Sequence, residues 1–400
     1  MGTDPVWKEL AAEYVNAAGK APGLKKRFDV AGFDPVSVDS LAALTRLPVL
    51  KKEELVRLQR ENPPFGGFLG EDISAVERIY VSPGPIFEPS MPGENGHNLD
   101  MLFLAAGTGP GDVVLNTWSY HLVPAGLLFD AAARSVGATV IPGGVGSHEL
   151  QAQIIAETGV TAIAASTAFF LTLADAVIER HGRAAWKVRD AFLGGEMGDW
   201  MAKRRRIEEL YGVRTWAAYA TADLGLVACE DGKGEGYAVH PGCIVQICDP
   251  VTGQPLPFGE TGEVVVTARN ARWPMIRFGT GDSAYALEQG DDGRVMRLSM
   301  LQGRVGAAVK VREIFVYQRV VEELVIATPG ILAAQAVARL NGERESVELR
   351  LVPEPDADVE SVRQQALETF KSLARIRADS AEIVEAIAAD APLLVNLKDS

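Results

Sequence analysis

The runs Val113-Val114-Leu115-Asn116, Thr139-Val140-Ile141-Pro142 and Ala162-Ile163-Ala164-Ala165 are short and apolar, as buried strands are. A longer segment with apolar residues at helical spacing follows each run, at residues 126–136, 148–157 and 169–180. Strands that alternate with helices form βαβ units, whose strands lie parallel with helices on both faces. The sequence therefore predicts an α/β fold built on a parallel sheet.

The pattern changes on both sides of this core. Before it, Lys8–Ala18 and Leu50–Gln59 are amphipathic runs typical of helices. After it, Cys243–Cys248, Gly262–Ala268 and Ser283–Leu287 are predicted strands separated by turn signals. We expect a helical cap (1–60), a βαβ core (61–215) and a second sheet with a β-rich subdomain (216–302), forming a large N-terminal domain (1–302), and a small, mobile C-terminal α+β domain (303–400).

Composition excludes several classes of protein. The 400 residues are 47% hydrophobic, enough to bury a large core, and the net charge of −14 argues against a nucleic-acid partner. The sequence contains neither a signal peptide at its first residues nor an apolar run long enough to span a membrane. Cys229, Cys243 and Cys248 lack metal-ligand spacing, so we expect reduced structural thiols. These features predict a cytoplasmic globular protein without a membrane partner.

Two motifs in the second region end on an aspartate: Tyr219-Ala220-Thr221-Ala222-Asp223 and Phe278-Gly279-Thr280-Gly281-Asp282. A carboxylate on a tight glycine turn can accept hydrogen bonds from both hydroxyls of a ribose, and ionised acceptors make the stronger bonds. Asp282 is therefore the best candidate nucleoside-binding residue, with an ordinary turn as the alternative. Asp223 is a competent oxygen ligand for Mg²⁺ or, alternatively, a helix or turn cap. Arg277 either pairs with a carboxylate or lines the site.

These motifs resemble those of phenylacetate-CoA ligase-type members of the adenylate-forming (AMP-binding) acyl-CoA synthetase superfamily. Further segments carry the resemblance over nearly the whole chain, in the family's order and spacing: Ala31–Pro35, Leu47–Leu55, Pro110–Asn116, Gly137–Pro142 and Gly194–Glu196. The resemblance implies a large N-terminal domain and a small mobile C-terminal domain. It also implies an enzyme that activates a hydrophobic or aromatic carboxylic acid as acyl-AMP and then transfers it to CoA.

The resemblance implies a role for particular residues of this chain. Nucleotide binding falls to Gly195, Glu196, Tyr219, Asp282 and Arg304. The catalytic residues are Lys398, which would bridge the carboxylate and the α-phosphate, and Asp223, which would also hold the metal, Mg²⁺. The acyl pocket would contain Trp118, Tyr120, His121, Phe169 and Ala218, and its aromatic rings suit an apolar acid. His121 is alternatively a core histidine, and Lys398 a solvated charge.

The phosphate-binding loop departs from the family pattern. The family has a Gly-rich run closed by Lys-Pro, whereas this chain has Ser82-Pro83-Gly84-Pro85-Ile86-Phe87-Glu88-Pro89. A triphosphate cradle needs backbone N–H donors and a cation, but the prolines lack the N–H group and Glu88 replaces the lysine. We expect this degenerate loop, with Ser82, Gly84 and Glu88, not to serve ATP in the usual manner. Ala222 and Glu313 also depart from family positions that handle phosphate and CoA.

Three functional hypotheses remain open. The first is an acyl-CoA ligase whose cofactors are ATP/AMP, Mg²⁺ and CoA. The second is a catalytically degenerate homologue that binds a nucleotide, an acyl group or an acyl-CoA without ATP-driven ligation. The third is an acyl-transfer enzyme that uses a preformed activated acyl group. In each case the expected partner is a small-molecule carboxylic acid or acyl-CoA, and the family resemblance also suggests a homodimer.

Overall fold

A computed structural model describes residues 5–82, 86–93, 99–194, 200–305, 309–312, 314–341, 344–374, 376–388 and 391–398. The contacts divide the chain into two compact units, Met1–Gln302 and Gly303–Ser400. Three of the predicted site residues, Gly84, Gly195 and Glu196, lie outside the described residues.

The helices are joined by short segments that contain turn residues. Their bounds are α1 Pro5–Lys20, α2 Pro22–Ala31, α3 Leu41–Thr45, α4 Lys52–Glu61, α5 Asp100–Ala106, α6 Ala125–Ser135, α7 His148–Thr158, α8 Thr167–His181, α9 Trp200–Tyr211, α10 Gln318–Ala327 and α11 Val359–Ala374. Gly32 ends α2 in the left-handed conformation, and the Ser166 hydroxyl caps α8 by accepting from the Phe169 N–H. No helix in the described ranges has the length and apolarity that crossing a membrane requires.

The strands are mostly short. Their bounds are β1 Leu50–Lys51, β2 Arg78–Ser82, β3 Ile86–Ser90, β4 Val113–Asn116, β5 Thr139–Pro142, β6 Ala162–Ser166, β7 Asp190–Gly194, β8 Arg214–Trp216, β9 Ala218–Thr221, β10 Gly225–Cys229, β11 Tyr237–Val239, β12 Cys243–Cys248, β13 Gly262–Ala268, β14 Phe278–Ala284, β15 Ala286–Gln289, β16 Val295–Leu298, β17 Gly303–Arg304, β18 Val309–Val311, β19 Ile314–Val316, β20 Ile331–Asn341, β21 Arg344–Pro353, β22 Ser380–Ile383 and β23 Leu394–Leu397.

The first unit contains the predicted parallel sheet. Its strand order is β5-β4-β6-β7-β8, and every neighbouring pair is parallel. Successive side chains of a strand point to opposite faces. Leu115 and Ile163 therefore join one apolar cluster, whereas Val114 and Ala164 join another. Helices cover both faces, and the predicted α/β fold class is confirmed.

Two further sheets complete the first unit. One has the order β15-β16-β11-β10-β9, and the other contains the path β1-β14-β13-β12. The predicted helix from Leu50 begins two residues later, because Leu50 and Lys51 pair with β14 as a parallel strand. The single strand predicted for Ser283–Leu287 is wrong. β14 ends at Ala284 and β15 begins at Ala286, and the Tyr285 N–H between them donates to Ser299 Oγ at 3.1 Å.

Arg277 ties the N-terminal segment to these strands. Its side chain is 1% exposed and its backbone has a φ of 47°. The guanidinium donates to the carbonyl oxygens of Thr45 at 2.7 Å, Leu47 at 2.6 Å and Gly253 at 2.5 Å. It also donates to Gln246 Oε1 at 3.1 Å. Because these acceptors are backbone and amide oxygens, Arg277 acts as a buried structural connector.

The second unit is a small α+β structure with its own core. Its main sheet has the order β22-β21-β20-β23, in which β20 and β21 are antiparallel and the outer strands run parallel to their neighbours. Phe370 from α11 and Leu349 from β21 are fully buried in this core, together with Leu324 from α10. Every buried residue of this cluster lies between Val309 and Leu394.

The three cysteines are free thiols, as the sequence suggested. Burial raises the pKa of Cys229 and Cys243 to about 12 and that of Cys248 to about 11. The thiolate is the reactive form of cysteine. These side chains therefore behave as apolar packing groups of the strands β10 and β12.

Candidate functional site

Two of the predicted nucleotide-binding residues lie in contact. The Tyr219 hydroxyl on β9 donates to Asp282 Oδ2 on β14 at 3.0 Å, and both residues are nearly buried. The backbone N–H of Asp282 donates to Thr280 Oγ1 at 3.1 Å. Gly281 has a φ of 74°, a conformation that side-chain-bearing residues rarely adopt. Gly281 and Asp282 lie within β14, at an irregularity in its pairing with β13, and not in the tight turn that the sequence predicted. The Tyr219 hydroxyl holds the Asp282 carboxylate in a fixed position there.

Asp223 forms an ion pair that the sequence did not predict. It follows β9, is 2% exposed, and accepts from Lys52 Nζ at 2.9 Å. Its carbonyl oxygen accepts from Trp273 Nε1 at 3.0 Å. Lys52 lies in Leu47–Leu55, a segment that indicated the family without suggesting a role for the lysine. Pattern alone gave no signal for this pair, because 171 positions separate its members.

Glu88, the residue in the position of the family's lysine, points into the protein. It lies on β3, which pairs with β2 as a hairpin, and is 2% exposed. The Ser82 hydroxyl hydrogen-bonds with Glu88 Oε1. Burial raises the pKa of Glu88 to about 8; the Ser82 hydrogen bond and Lys52 lower it, and Asp223 raises it further. Burial therefore opposes the negative charge that Glu88 would carry in the position of the family's lysine.

Among the described residues, the Asp223 carboxylate that the resemblance assigned to Mg²⁺ is already paired with a cation. The described residues contain no group of three or more His, Cys, Asp or Glu side chains that could hold a metal ion. The Asp223 carboxylate instead pairs with an ammonium at 2.9 Å, and an ammonium at that distance repels a divalent cation at the same carboxylate. Asp223 is a partner of Lys52 in this arrangement, and it could hold Mg²⁺ only after exchanging that ammonium for the metal ion.

Three of the predicted acyl-pocket residues lie near the parallel sheet. Trp118 and Ala218 pack against one apolar cluster, where Trp118 stacks on Phe129 with ring centroids 5.8 Å apart. The Tyr120 hydroxyl accepts from Asn116 Nδ2 at 2.8 Å and donates to Asp130 Oδ2 at 3.2 Å. Burial raises the pKa of Tyr120 well above its ordinary value. Tyr120 can therefore offer a ligand its ring, because its hydroxyl is used inside the protein.

The other two predicted pocket residues lie in different surroundings. Phe169 lies on α8 and packs against the cluster on the opposite face of the parallel sheet. It therefore shares no described packing cluster with Trp118 and Ala218. His121 is exposed, so the alternative of a core histidine is wrong. The His121 backbone N–H donates to the Ser119 hydroxyl at 3.1 Å. This hydrogen bond fixes the turn and does not involve the imidazole.

The remaining predicted residues belong to the second unit. Lys398 follows β23, and its Nζ lies 2.5 Å from Glu345 Oε1. Glu345 also accepts from the Arg312 backbone N–H, and the Arg312 guanidinium pairs with Asp379. Arg304 is exposed on β17. Lys398 is therefore an ion-paired residue of its own unit, and would have to leave Glu345 before it could contact a reacting carboxylate.

The first unit's sheets and the small α+β unit together have the fold of the adenylate-forming CoA ligases. A 2-hydroxyisobutyryl-CoA ligase, solved in an open conformation with 2-HIB-AMP and CoA, matches 98% of this chain and 90% of its own, with a TM-score of 0.86 and 21% identity. ATP-bound MatB from Rhodopseudomonas palustris matches 82% of this chain and 68% of its own, with a TM-score of 0.51 and 17% identity.

In sequence, the chain is similar to phenylacetate-coenzyme A ligases. It is 28% identical to the Thermus thermophilus protein over 84% of this chain and 78% of that protein. It is 27% identical to the Escherichia coli protein over 78% of this chain and 73% of that protein. No protein-family model matches the chain. The resemblance drawn from the motifs is confirmed by these relatives.

Proposed function

We propose that this protein is an AMP-forming acyl-CoA ligase that activates a hydrophobic or aromatic carboxylic acid through an acyl-AMP intermediate. The observation that carries the proposal is the buried hydrogen bond of 3.0 Å between Tyr219 and Asp282, on β14 beside Gly281, where a ribose would bind. The phenylacetate-CoA ligases to which the chain is similar support it, as does the 2-hydroxyisobutyryl-CoA ligase that binds an acyl adenylate and CoA.

Asp282 would accept hydrogen bonds from the ribose hydroxyls. The Tyr219 hydroxyl fixes one of its carboxylate oxygens before the ligand arrives, so little side-chain freedom is lost on binding. Such fixed geometry lowers the barrier by positioning the nucleotide for attack. The family resemblance assigns further nucleotide contacts to Gly195, Glu196 and Arg304.

The acid would bind against Trp118, Tyr120 and Ala218. Trp118 presents an aromatic ring, and Tyr120 offers its ring alone because its hydroxyl bonds to Asn116 and Asp130. A wall of this kind favours an apolar or aromatic acid, because its rings bury apolar ligand surface. The buried Trp118 Nε1–H has no partner among the described residues, so it leaves one donor for the ligand.

The proposed reaction has two balanced steps. A carboxylate oxygen attacks the α-phosphorus of ATP, forming the acyl-AMP bond while pyrophosphate leaves. The CoA sulfur then attacks the acyl carbon after losing its proton to solvent, and AMP leaves with the electrons of the broken C–O bond. In the first step Lys398, released from Glu345, would stabilise the negative charge on the reacting oxygens.

The ribose contact can be tested by changing both the protein and the ligand. In the Asp282→Asn variant, we expect AMP affinity to fall about 10- to 100-fold, because a charged hydrogen-bond acceptor is lost. Affinity for 2′,3′-dideoxy-AMP should be the same in both proteins, because that ligand lacks the hydroxyls. Isothermal titration calorimetry measures both constants, and pyrophosphate release over a panel of aryl acids measures ligation.

The control variant is Tyr219→Phe, which removes the hydroxyl and keeps the carboxylate. We expect it to weaken AMP binding less than Asp282→Asn does. Equal loss of affinity for AMP and for the dideoxy ligand in Asp282→Asn would contradict the ribose role. A wild-type protein that binds neither AMP nor ATP would reject the proposed function itself.

A second function is favoured by the sequence Ser82-Pro83-Gly84-Pro85-Ile86-Phe87-Glu88-Pro89. Two prolines remove backbone donors that a triphosphate would use. A homologue altered in this way could bind AMP, an acyl adenylate or an acyl-CoA without ligation. The same experiments separate the two functions, since this one requires tight AMP binding with no pyrophosphate release for any acid.

A further inference from the structure

We propose that Lys52, held by Asp223, is the cation that contacts the nucleotide phosphates in this protein, in the place where a divalent ion would be expected. The inference rests on the proposed nucleotide-binding function. It adds a residue that the motifs did not single out, and it removes the requirement for a metal ion at Asp223.

The position of Lys52 supports this role. It is the first residue of α4, and α4 contacts both β3, which carries Glu88, and β14, which carries Asp282. Its partner Asp223 follows β9, the strand of Tyr219. Lys52 therefore lies among the elements that carry the degenerate phosphate loop and the proposed ribose contact.

The ion pair is asymmetric in its exposure. The Asp223 side chain is 1% exposed, whereas that of Lys52 is 26% exposed. An ammonium has three donors, and among the described residues Lys52 donates to Asp223 alone. Asp223 is thus enclosed while Lys52 keeps donors for a ligand that arrives from solvent.

Two buried oxygens at this place have no hydrogen-bond partner within the described part of the chain. They are Asp223 Oδ1 and Glu88 Oε2, and both residues are 2% exposed. Buried polar atoms are nearly always hydrogen-bonded, so these two carboxyl oxygens leave places for a hydrogen-bond donor that enters with a ligand. The Lys52–Asp223 pair is neutral overall, and the remaining N–H groups of Lys52 can donate hydrogen bonds to a phosphoryl oxygen.

Lys51 is a natural comparison for Lys52. Its Nζ pairs with Glu263 and donates to the Pro250 carbonyl at 3.0 Å. Glu263 in turn accepts from the Gly281 N–H at 3.3 Å. Lys51 is therefore held by two acceptors of the β-rich region, and its replacement removes a buried ion pair without removing the proposed phosphate contact.

The test compares ATP and adenosine binding by calorimetry, with EDTA and with added Mg²⁺. We expect wild-type protein to bind ATP with similar affinity in both buffers. Lys52→Met should weaken ATP binding about 10- to 100-fold, because a charged hydrogen bond to phosphate is lost. Adenosine binding should be unchanged, since adenosine lacks phosphate. Lys51→Met is the matched control and should keep both affinities.

Lys52→Met leaves the Asp223 carboxylate buried without its cation, which destabilises a protein. The double variant Lys52→Met/Asp223→Asn restores neutrality, and it should show the same selective loss of ATP affinity. Lys52→Arg retains the charge and should retain most of the ATP affinity.

Three results would overturn the inference. ATP binding by the wild type that EDTA abolishes and Mg²⁺ restores would show that a divalent ion is required. Equal ATP affinity in the wild type and the double variant would show that Lys52 does not contact phosphate. Binding of adenosine without any binding of ATP would reject the phosphate site while leaving the ribose contact intact. A failure of the wild type to bind any of these ligands would instead reject the proposed function, and this inference with it.

Discussion

At the scale of single residues, burial decides the chemistry of Glu88. Its carboxyl group lies on β3, accepts a hydrogen bond from Ser82 and is almost fully enclosed. Desolvation disfavours the charged form of a carboxyl group, and here it raises the pKa to about 8. The facing groups are Ser82, Asp223 and Lys52, of which Asp223 raises the pKa further and the other two lower it. A residue that would repel phosphate when ionised is therefore mostly neutral at pH 7.

This raised pKa predicts a pH-dependent stability. Between the unfolded value of about 4.3 and the folded value of about 8, native Glu88 holds a proton that the unfolded chain releases. The contribution of Glu88 to the free energy of unfolding is therefore complete below the unfolded pKa. It is lost as pH rises through the folded pKa, and the free energy of unfolding falls by up to about 1.4 kcal/mol per pH unit. Urea unfolding of the wild type and Glu88→Gln, between about pH 5 and 9, measures the difference.

Gln cannot titrate and has nearly the same shape, so the variant should lack this component of the pH dependence. Identical slopes for the two proteins would mean that Glu88 is ionised in the folded state. Asp282→Asn and Lys52→Met also test single residues, because each removes one group from a contact of fixed geometry.

At the scale of elements, Arg277 connects α3 and the segment after it to β12 and β14. One guanidinium satisfies three carbonyl oxygens and an amide oxygen that would otherwise be buried without donors. The parallel pairing of β1 with β14 begins at the adjacent residue, where the Leu50 N–H donates to the Arg277 carbonyl at 2.8 Å. The placement of Lys51 and Lys52 beside the site therefore depends on this junction.

We expect Arg277→Met to destabilise the protein by at least about 3 kcal/mol, because several buried acceptors lose their donor together. Arg57→Met is the control. Arg57 is 57% exposed and pairs with Glu61 within α4, so its loss should cost about 0.5 kcal/mol or less. Urea unfolding measures both variants. A cost for Arg277→Met as small as that of the control would mean that the carbonyls find other donors.

At the scale of the whole molecule, the chain forms two compact units with separate apolar cores. The core of the second unit contains buried residues from Val309 to Leu394, whereas the buried clusters of the first unit end at Leu298. Units with their own cores can open independently in hydrogen exchange. Each proposed site residue therefore depends on the stability of its own unit.

Matched phenylalanines test this independence. Phe370 lies in the second core and Phe170 in the first, and both are fully buried. Each change to alanine should cost about 3–5 kcal/mol within its own unit. In hydrogen-exchange mass spectrometry, Phe370→Ala should speed exchange in residues 309–398 alone, and Phe170→Ala in residues before 303. Faster exchange in both units from either variant would show that the cores unfold together.

The sequence by itself determined the fold class and several strands. Val113–Asn116, Thr139–Pro142, Cys243–Cys248 and Gly262–Ala268 are strands with the bounds that their patterns predict. Local periodicity is sufficient there, because apolar spacing and turn residues set strand and helix limits within a short window. The same motifs, read in order along the chain, indicated the resemblance that the relatives confirm.

Only the tertiary structure decided the chemistry of the site. It paired Lys52 with Asp223 across 171 positions and Tyr219 with Asp282 across 63. It also enclosed Glu88, which the sequence identified as a charge. Contacts between distant segments and the burial that shifts a pKa depend on the packing of the whole unit, so no local pattern encodes them.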